Sequence, residues 1–169
     1  MGKRGSLSEF QAHLATRLAG ANEQTAAGLL GFLSGPDHWL VKLADSGEVA
    51  PLPALTSVPL TRRWFVGIAN IRGNLYSVTD FSAFQGKETT PQNAGSRLLL
   101  IGTRHGNNAA LLVTRTLGLR KIDDLTPAAD ADESPAWCRQ TYTDREGRRW
   151  KVLSVPELLA EERFMDIGI

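Results

Sequence analysis

A chain of 169 residues with 42 % apolar and 22 % charged residues has the composition of one folded domain with a sizeable core, which excludes a disordered or fibrous chain. Nineteen basic residues against eighteen acidic ones leave a formal charge of +1, so no global field draws the protein onto nucleic acid or an anionic membrane, and any partner must be recognised by local surface. Cys138 is alone, which excludes an intramolecular disulfide and fits a reducing cytoplasm. Glu9, Gln11, His13 and Arg17 interrupt the apolar run that a signal peptide needs. No stretch reaches the length of a membrane span, so a cytoplasmic protein without direct membrane insertion is expected.

In chain order, Leu7, Phe10, Leu14 and Leu18 fall at steps of three and four and predict a helix, with Ser6 and Glu9 as its capping box. Residues 22–25 break the pattern, so residues 1–26 are expected to be a helical arm leading into a domain over 27–169. From Ala27 the texture changes to short apolar runs punctuated by Gly, Pro, Asp and Asn. Runs over 29–33 and 39–43 flank Ser34-Gly35-Pro36-Asp37, and runs over 66–71 and 75–81 flank Arg72-Gly73-Asn74; each pair reads as a hairpin. A third hairpin is expected from 97–103 and 109–114. A fourth is expected from 137–143 and 149–155, with Trp150 and Val152 on a buried face and Arg149 and Lys151 on a wet one. Residues 126–135 read as a solvated loop. Ser154 and Pro156 announce a final helix whose buried stripe would be Leu158, Leu159 and Met165. Antiparallel hairpins in this number avoid exposed edges by closing into one or two small barrels, so the fold class is mainly β with helical ends.

Residues 47–81 carry the functional signal. Glu48-Val49 begins a turn, Val58-Pro59 places an apolar residue beside a rigid one, and Trp64-Phe65 supplies two large aromatics before a strand. Alternation along that strand would bury one aromatic and leave the other near the surface. Gly67 admits a close backbone approach, while Asn70, Arg72 and Gly73 bracket the turn. Val58-Pro59, Trp64-Phe65, Gly67-Ile68-Ala69-Asn70-Ile71-Arg72-Gly73 and Asp80 together resemble the hallmark of the CheW family of chemotaxis coupling proteins. Residues 69–73, 115–120 and 164–168 are similar to its PilI-like branch, which serves type IV pilus twitching motility. Ser77 and Phe81 depart from the family pattern, which more often has Pro and Leu at these places.

The resemblance implies two five-stranded barrels sharing a core, and a non-enzymatic adaptor without cofactor or metal. It implies partners too: the regulatory domain of a CheA-like histidine kinase and the cytoplasmic tip of a methyl-accepting chemoreceptor. Glu48, Val49, Val58, Trp64, Phe65, Asn70, Arg72, Gly73 and Asp80 are the expected partner-binding residues. Glu48 is expected on a kinase-contacting edge separate from an apolar receptor groove over 58–80, with Asn70 and Gly73 chiefly supporting the turn.

The alternatives are weaker in the residues themselves. His13, His38 and His105 are scattered and lack partners at metal-ligand spacing, and no phosphate-binding or hydrolase motif is present, so no catalytic residue is assigned. Small barrels do bind single-stranded nucleic acid, and Arg148, Arg149, Trp150 and Lys151 interleave cations with an aromatic. Strand alternation turns Trp150 away from its basic neighbours, however, which favours a buried Trp and no nucleic-acid partner.

Overall fold

The runs Arg97–Ile101 and Ala109–Val113 have almost no polar positions because both faces of each are buried. The computed structural model describes residues 28–129 and 133–169; the arm expected over 1–26 lies outside the described residues. Leu98 and Leu100 enter one apolar cluster while Leu99 and Ile101 enter another, and Ala110 and Leu112 part in the same way from Ala109, Leu111 and Val113. Side chains of a strand point alternately to its two faces, so a strand apolar throughout must have a core on each side.

In chain order the strands are β1 (Leu29–Ser34), β2 (Asp37–Lys42), β3 (Glu48–Pro51), β4 (Leu55–Thr56), β5 (Phe65–Ile71), β6 (Asn74–Asp80), β7 (Arg97–Ile101), β8 (Ala109–Val113), β9 (Arg115–Arg120), β10 (Thr126–Pro127), β11 (Thr141–Thr143) and β12 (Arg149–Leu153). They form two six-stranded sheets, β10-β11-β12-β2-β1-β9 and β3-β7-β8-β6-β5-β4. Each has one parallel pair at its middle, β12 with β2 and β6 with β8, and is antiparallel elsewhere. The chain starts in the first sheet, crosses to the second for β3 to β8, and returns with β9. The second sheet is therefore one continuous piece of sequence, inserted into the first between β2 and β9.

Both sheets must curl. A flat six-stranded sheet would hold its edges about 24 Å apart. The edges of the second sheet, β3 and β4, are consecutive in sequence, and the chain from Pro51 to Leu55 spans at most about 14 Å. The edges of the first, β9 and β10, are joined from Arg120 to Thr126, a reach of at most about 21 Å. Each curl closes on its own cluster: Tyr76, Val78, Leu98, Leu100 and Leu112 in the second sheet, and Leu29, Leu40, Tyr142, Trp150 and Val152 in the first. A larger central cluster joins the two sheets through Phe32, Trp39, Trp64, Phe81, Phe84, Trp137 and Phe164. The mainly β class and the shared core agree with the sequence reading. Five strands per barrel becomes five plus one two-residue strand, β4 or β10.

Several local expectations are corrected. Glu48-Val49 opens a strand, not a turn. The fourth hairpin is shorter than expected: Trp137 sits in a 3₁₀ turn, Ala136–Cys138, and only Thr141–Thr143 pairs with β12. The final helix is split into Val155–Ala160 and Glu162–Met165, where Phe164 is buried and Met165 is exposed. Trp150 and Val152 are buried as expected, and Trp150 donates its indole N–H to the Asp144 carboxylate at 2.9 Å.

Lys87 and Lys151 converge on Asp37, where the first sheet meets the loop after β6. Burial opposes the charged form of Asp37, but the hydrogen bond from Lys87 and the charges of both lysines outweigh it and hold the carboxyl below its usual range. That stabilisation is present above the unfolded value, about 3.9, and is lost as pH falls through the folded one. Asp37→Asn should therefore flatten the decline of the urea midpoint as pH falls below about 4. A decline as steep as that of the wild type would show that Asp37 contributes nothing to the acid limb.

Gly67 closes the second sheet at the bulge in β5. Its φ is +133°, and a Cβ there would stand 2.4 Å from the Thr56 carbonyl oxygen on β4. At Gly73, with φ +85°, a Cβ would meet nothing within 4 Å. Gly67→Ala should cost about 2–3 kcal/mol and Gly73→Ala only about 1 kcal/mol, read as shifts in urea midpoint with unchanged m-value.

Candidate partner-binding site

Ile71 and Asn74 flank a reversal whose central residues, Arg72 and Gly73, both have positive φ, 52° and 85°. This mirror-image turn matches the twist of the paired strands, and glycine suits its second position. Arginine does not suit the first: a left-handed backbone costs an L-residue about 1–2 kcal/mol. Asn70 offsets part of this cost by accepting the Gly73 N–H on Oδ1 at 2.9 Å, the supporting role expected of both. The Arg72 guanidinium ion-pairs with the Glu48 carboxylate at the start of β3. With both side chains well exposed the pair contributes little to stability. Arg72 is thus a strained, solvent-facing residue whose one ion pair adds little to the fold.

Glu48 and Arg72 were expected on separate edges, and the structure joins them in one charged corner. Val49 is half-buried against the central cluster and lies under this corner rather than on it.

A second strained residue lies before β5. Leu60 has φ +57° and is 75 % exposed, on the loop that also exposes Val58. The C-terminal tail pins this loop as a short antiparallel ladder. Ile169 N–H donates to the Leu60 carbonyl at 3.1 Å, Arg62 N–H donates to the Ile167 carbonyl at 2.8 Å, and Thr61 bridges Gly168. Arg62 also pairs with Asp166 at 3.0 Å. Val58, Leu60 and Ile169 therefore stand exposed on two paired segments. The loop runs on to Arg63, which lines a cleft of about 650 Å³ together with Gly35, Pro36, Ser82, Lys87 and Thr90. Val58 was legible from its proline; Leu60 and the tail were missed, because only the three-dimensional pairing shows them together.

Three residues expected to bind partners are buried. Trp64 and Phe65 are each 6 % exposed and both enter the central cluster. The expected alternation fails because Trp64 precedes the strand in a turn and the register of β5 shifts between Phe65 and Gly67. Trp64 packs edge-on to Phe84 at 5.2 Å and stacks on Phe164 at 6.4 Å. Asp80 is 1 % exposed and structural. Its Oδ1 accepts the N–H groups of Ser82 and Ala83, at 3.1 and 3.2 Å, and the Thr90 hydroxyl at 2.7 Å; its Oδ2 accepts the Thr90 N–H at 2.7 Å. It thus caps helix Phe81–Phe84 and anchors the following loop to the core.

Every described Phe, Tyr and Trp side chain is buried, Trp150 included, so none of these rings is presented at the described surface for a nucleobase to stack on. Among the described residues no group of three or more His, Cys, Asp and Glu side chains could hold a metal ion. His38 stands edge-on to Trp150 at 5.0 Å, where burial lowers its proton affinity. No helix among the described residues is long and apolar enough to cross a membrane.

The family profile described as a CheW-like domain matches residues 28–163. The chain belongs to the CheW-like family. Protein PilI of Pseudomonas aeruginosa is 25 % identical over 146 residues, which cover 83 % of this chain and 79 % of that protein. The crystal structure of the scaffolding protein TtCheW from Thermoanaerobacter tengcongensis has the same fold, with a TM-score of 0.68 at 17 % identity over 85 % of this chain and 99 % of that one. The CheW-like match contains Glu48, Val58, Leu60 and Arg72 but ends before the tail that pins Leu60.

Removal of the Asp80 carboxylate leaves four buried donors without their acceptor. Asp80→Ala should therefore cost about 3 kcal/mol of stability in a denaturant titration, because each buried polar group left unpaired costs about 1–3 kcal/mol and the loop relaxes in part. A loss under about 1 kcal/mol would show that the cap and anchor are dispensable.

Proposed function

We propose that this CheW-like chain is a cytoplasmic, non-enzymatic adaptor that joins the tip of a methyl-accepting chemoreceptor to the regulatory domain of a CheA-like histidine kinase, in a pathway controlling type IV pilus twitching motility. The observation that carries the reading is the pairing of Arg72 with Glu48 on a strained, exposed turn within the CheW-like match. The likeness to PilI supports the twitching pathway.

The two strained surfaces divide the work. The Glu48–Arg72 corner takes the kinase domain, because a guanidinium and a carboxylate side by side read the complementary charges of a folded partner. The Val58–Leu60 loop with Ile169 takes the receptor tip, because exposed aliphatic residues on a pinned backbone accept the apolar face of a helix. The rigid body between them fixes the geometry of the ternary assembly. Each contact is small and transient, so assembly relies on multivalency.

Titration calorimetry tests the division. Arg72→Ala should weaken kinase-domain binding by about 1–3 kcal/mol, while Leu60→Asp should weaken receptor-tip binding by a similar amount, with thermal stability nearly unchanged in both. Binding of both partners unaltered by both substitutions would overturn the proposal. Salt dependence separates the nucleic-acid alternative: phosphate binding falls by decades between about 50 and 200 mM salt, whereas an apolar protein contact changes far less.

A further inference from the structure

Leu119 and Ile122 form a second exposed apolar pair, 67 % and 50 % accessible, remote in sequence from the Leu60 loop and the tail. Leu119 lies on β9 in register with Leu30, and Arg120 lies in register with Leu29. The pair therefore stands beside the place where the chain enters β1 at Gly28. Arg120 turns into the curl of the first sheet, its guanidinium 5.0 Å from the centroid of the Trp150 ring, which sends Leu119 to the outer face. β9 is an edge strand, hydrogen-bonded on one side only. A large leucine on the outer face of such an edge, followed by an exposed isoleucine, is an incompletely covered apolar surface.

Residues 1–27 precede this place, and they carry Leu7, Phe10, Leu14 and Leu18 at helical spacing. We propose that this stripe, as one face of a helix over residues 6–19, packs on Leu119 and Ile122 and covers them. The lengths agree: from Leu7 to Leu18 the stripe would extend about 17 Å, close to the length of β9, about 17 Å from Arg115 to Arg120. Residues 20–27 reach at most about 28 Å when extended, enough to reverse direction at Gly28 and lay the helix back along the edge. The tether fixes the occupant. A covalently linked segment acts at an effective concentration in the mM range, so a contact too weak to hold a separate molecule is populated within the chain. A foreign amphipathic helix seeking the same pair would have to displace the arm first.

Hydrogen exchange on the full-length protein at low micromolar concentration tests this. Amides of residues 8–18 should exchange at least about tenfold more slowly than the intrinsic rates for their sequence, and Leu119→Asp with Ile122→Asp should abolish that protection while the strands stay protected. Rates equal to the intrinsic values would overturn the proposal, and so would protection unchanged in the double variant. Protection that rises with protein concentration would assign the occupant to a second copy and overturn it too. Should the double variant not fold, Leu14→Asp should speed exchange in the arm and at residues 117–122 together; no change at 117–122 would be equally fatal.

Discussion

The aromatic joint between the two sheets is the constraint on which the rest depends. Phe32 and Trp39 come from β1 and β2, Trp137 from the turn before β11, Phe81 and Phe84 from the helix after β6, Trp64 from the turn before β5 and Phe164 from the C-terminal helix. Their rings lie 4.8 Å apart for Trp39 and Phe81, 5.7 Å for Phe84 and Trp137, and 5.4 Å for Phe84 and Phe164. Tilted and edge-on pairs of this kind add about 0.5–1.5 kcal/mol each beyond the area they bury. Two cations flank the joint, Lys151 over Trp39 at 5.4 Å and Arg163 over Phe84 at 4.5 Å. Because the chain crosses from the first sheet to the second and back, the joint cannot form until strands distant in sequence have met. The two curls are consequently one cooperative body, and the charged corner and the Leu60 loop hold fixed places on it.

What was legible in the sequence follows from where each strand lies. The interior strands β1, β2, β5, β6, β7, β8, β11 and β12 are buried on at least one face, and their apolar runs and turn residues announce them. The strands passed over, β3, β4, β9 and β10, are the four edges of the two sheets. Edges carry Pro, Gly and charge to prevent further pairing, which erases the pattern that identifies a strand. Pro51 ends β3, Pro127 ends β10, and β9 contains Gly118 at φ +82°.

The site was legible in its chemistry but not in its arrangement. Arg72 and Glu48 stand 24 positions apart and were assigned to different edges, since nothing in a linear pattern reports that the β5–β6 turn curls back to the start of β3. One of Trp64 and Phe65 was expected near the surface because two adjacent aromatics on a regular strand cannot share one core. A turn and a bulge remove that regularity, and both side chains reach the joint. Asp80 closes a motif that also contains the exposed Arg72, yet its four hydrogen bonds spend the carboxylate on the fold.

The C-terminal tail shows how such a body could bind weakly yet selectively. An exposed leucine on a free loop would lose loop and rotamer entropy on binding, at about 0.5–1.5 kcal/mol for each immobilised side chain and more for the backbone. Pinning by Ile169, Ile167, Gly168 and Asp166 meets the backbone part of that cost during folding, so the left-handed Leu60 is already fixed in the free chain. The Glu48 contact does the same for Arg72 at the other corner. Both exposed non-glycine residues with positive φ among the described residues are thus held by a partner within the chain. Strain confined to two solvent-facing positions, each with its own restraint, fits the proposed adaptor role, in which a rigid body presents two contacts in fixed orientation.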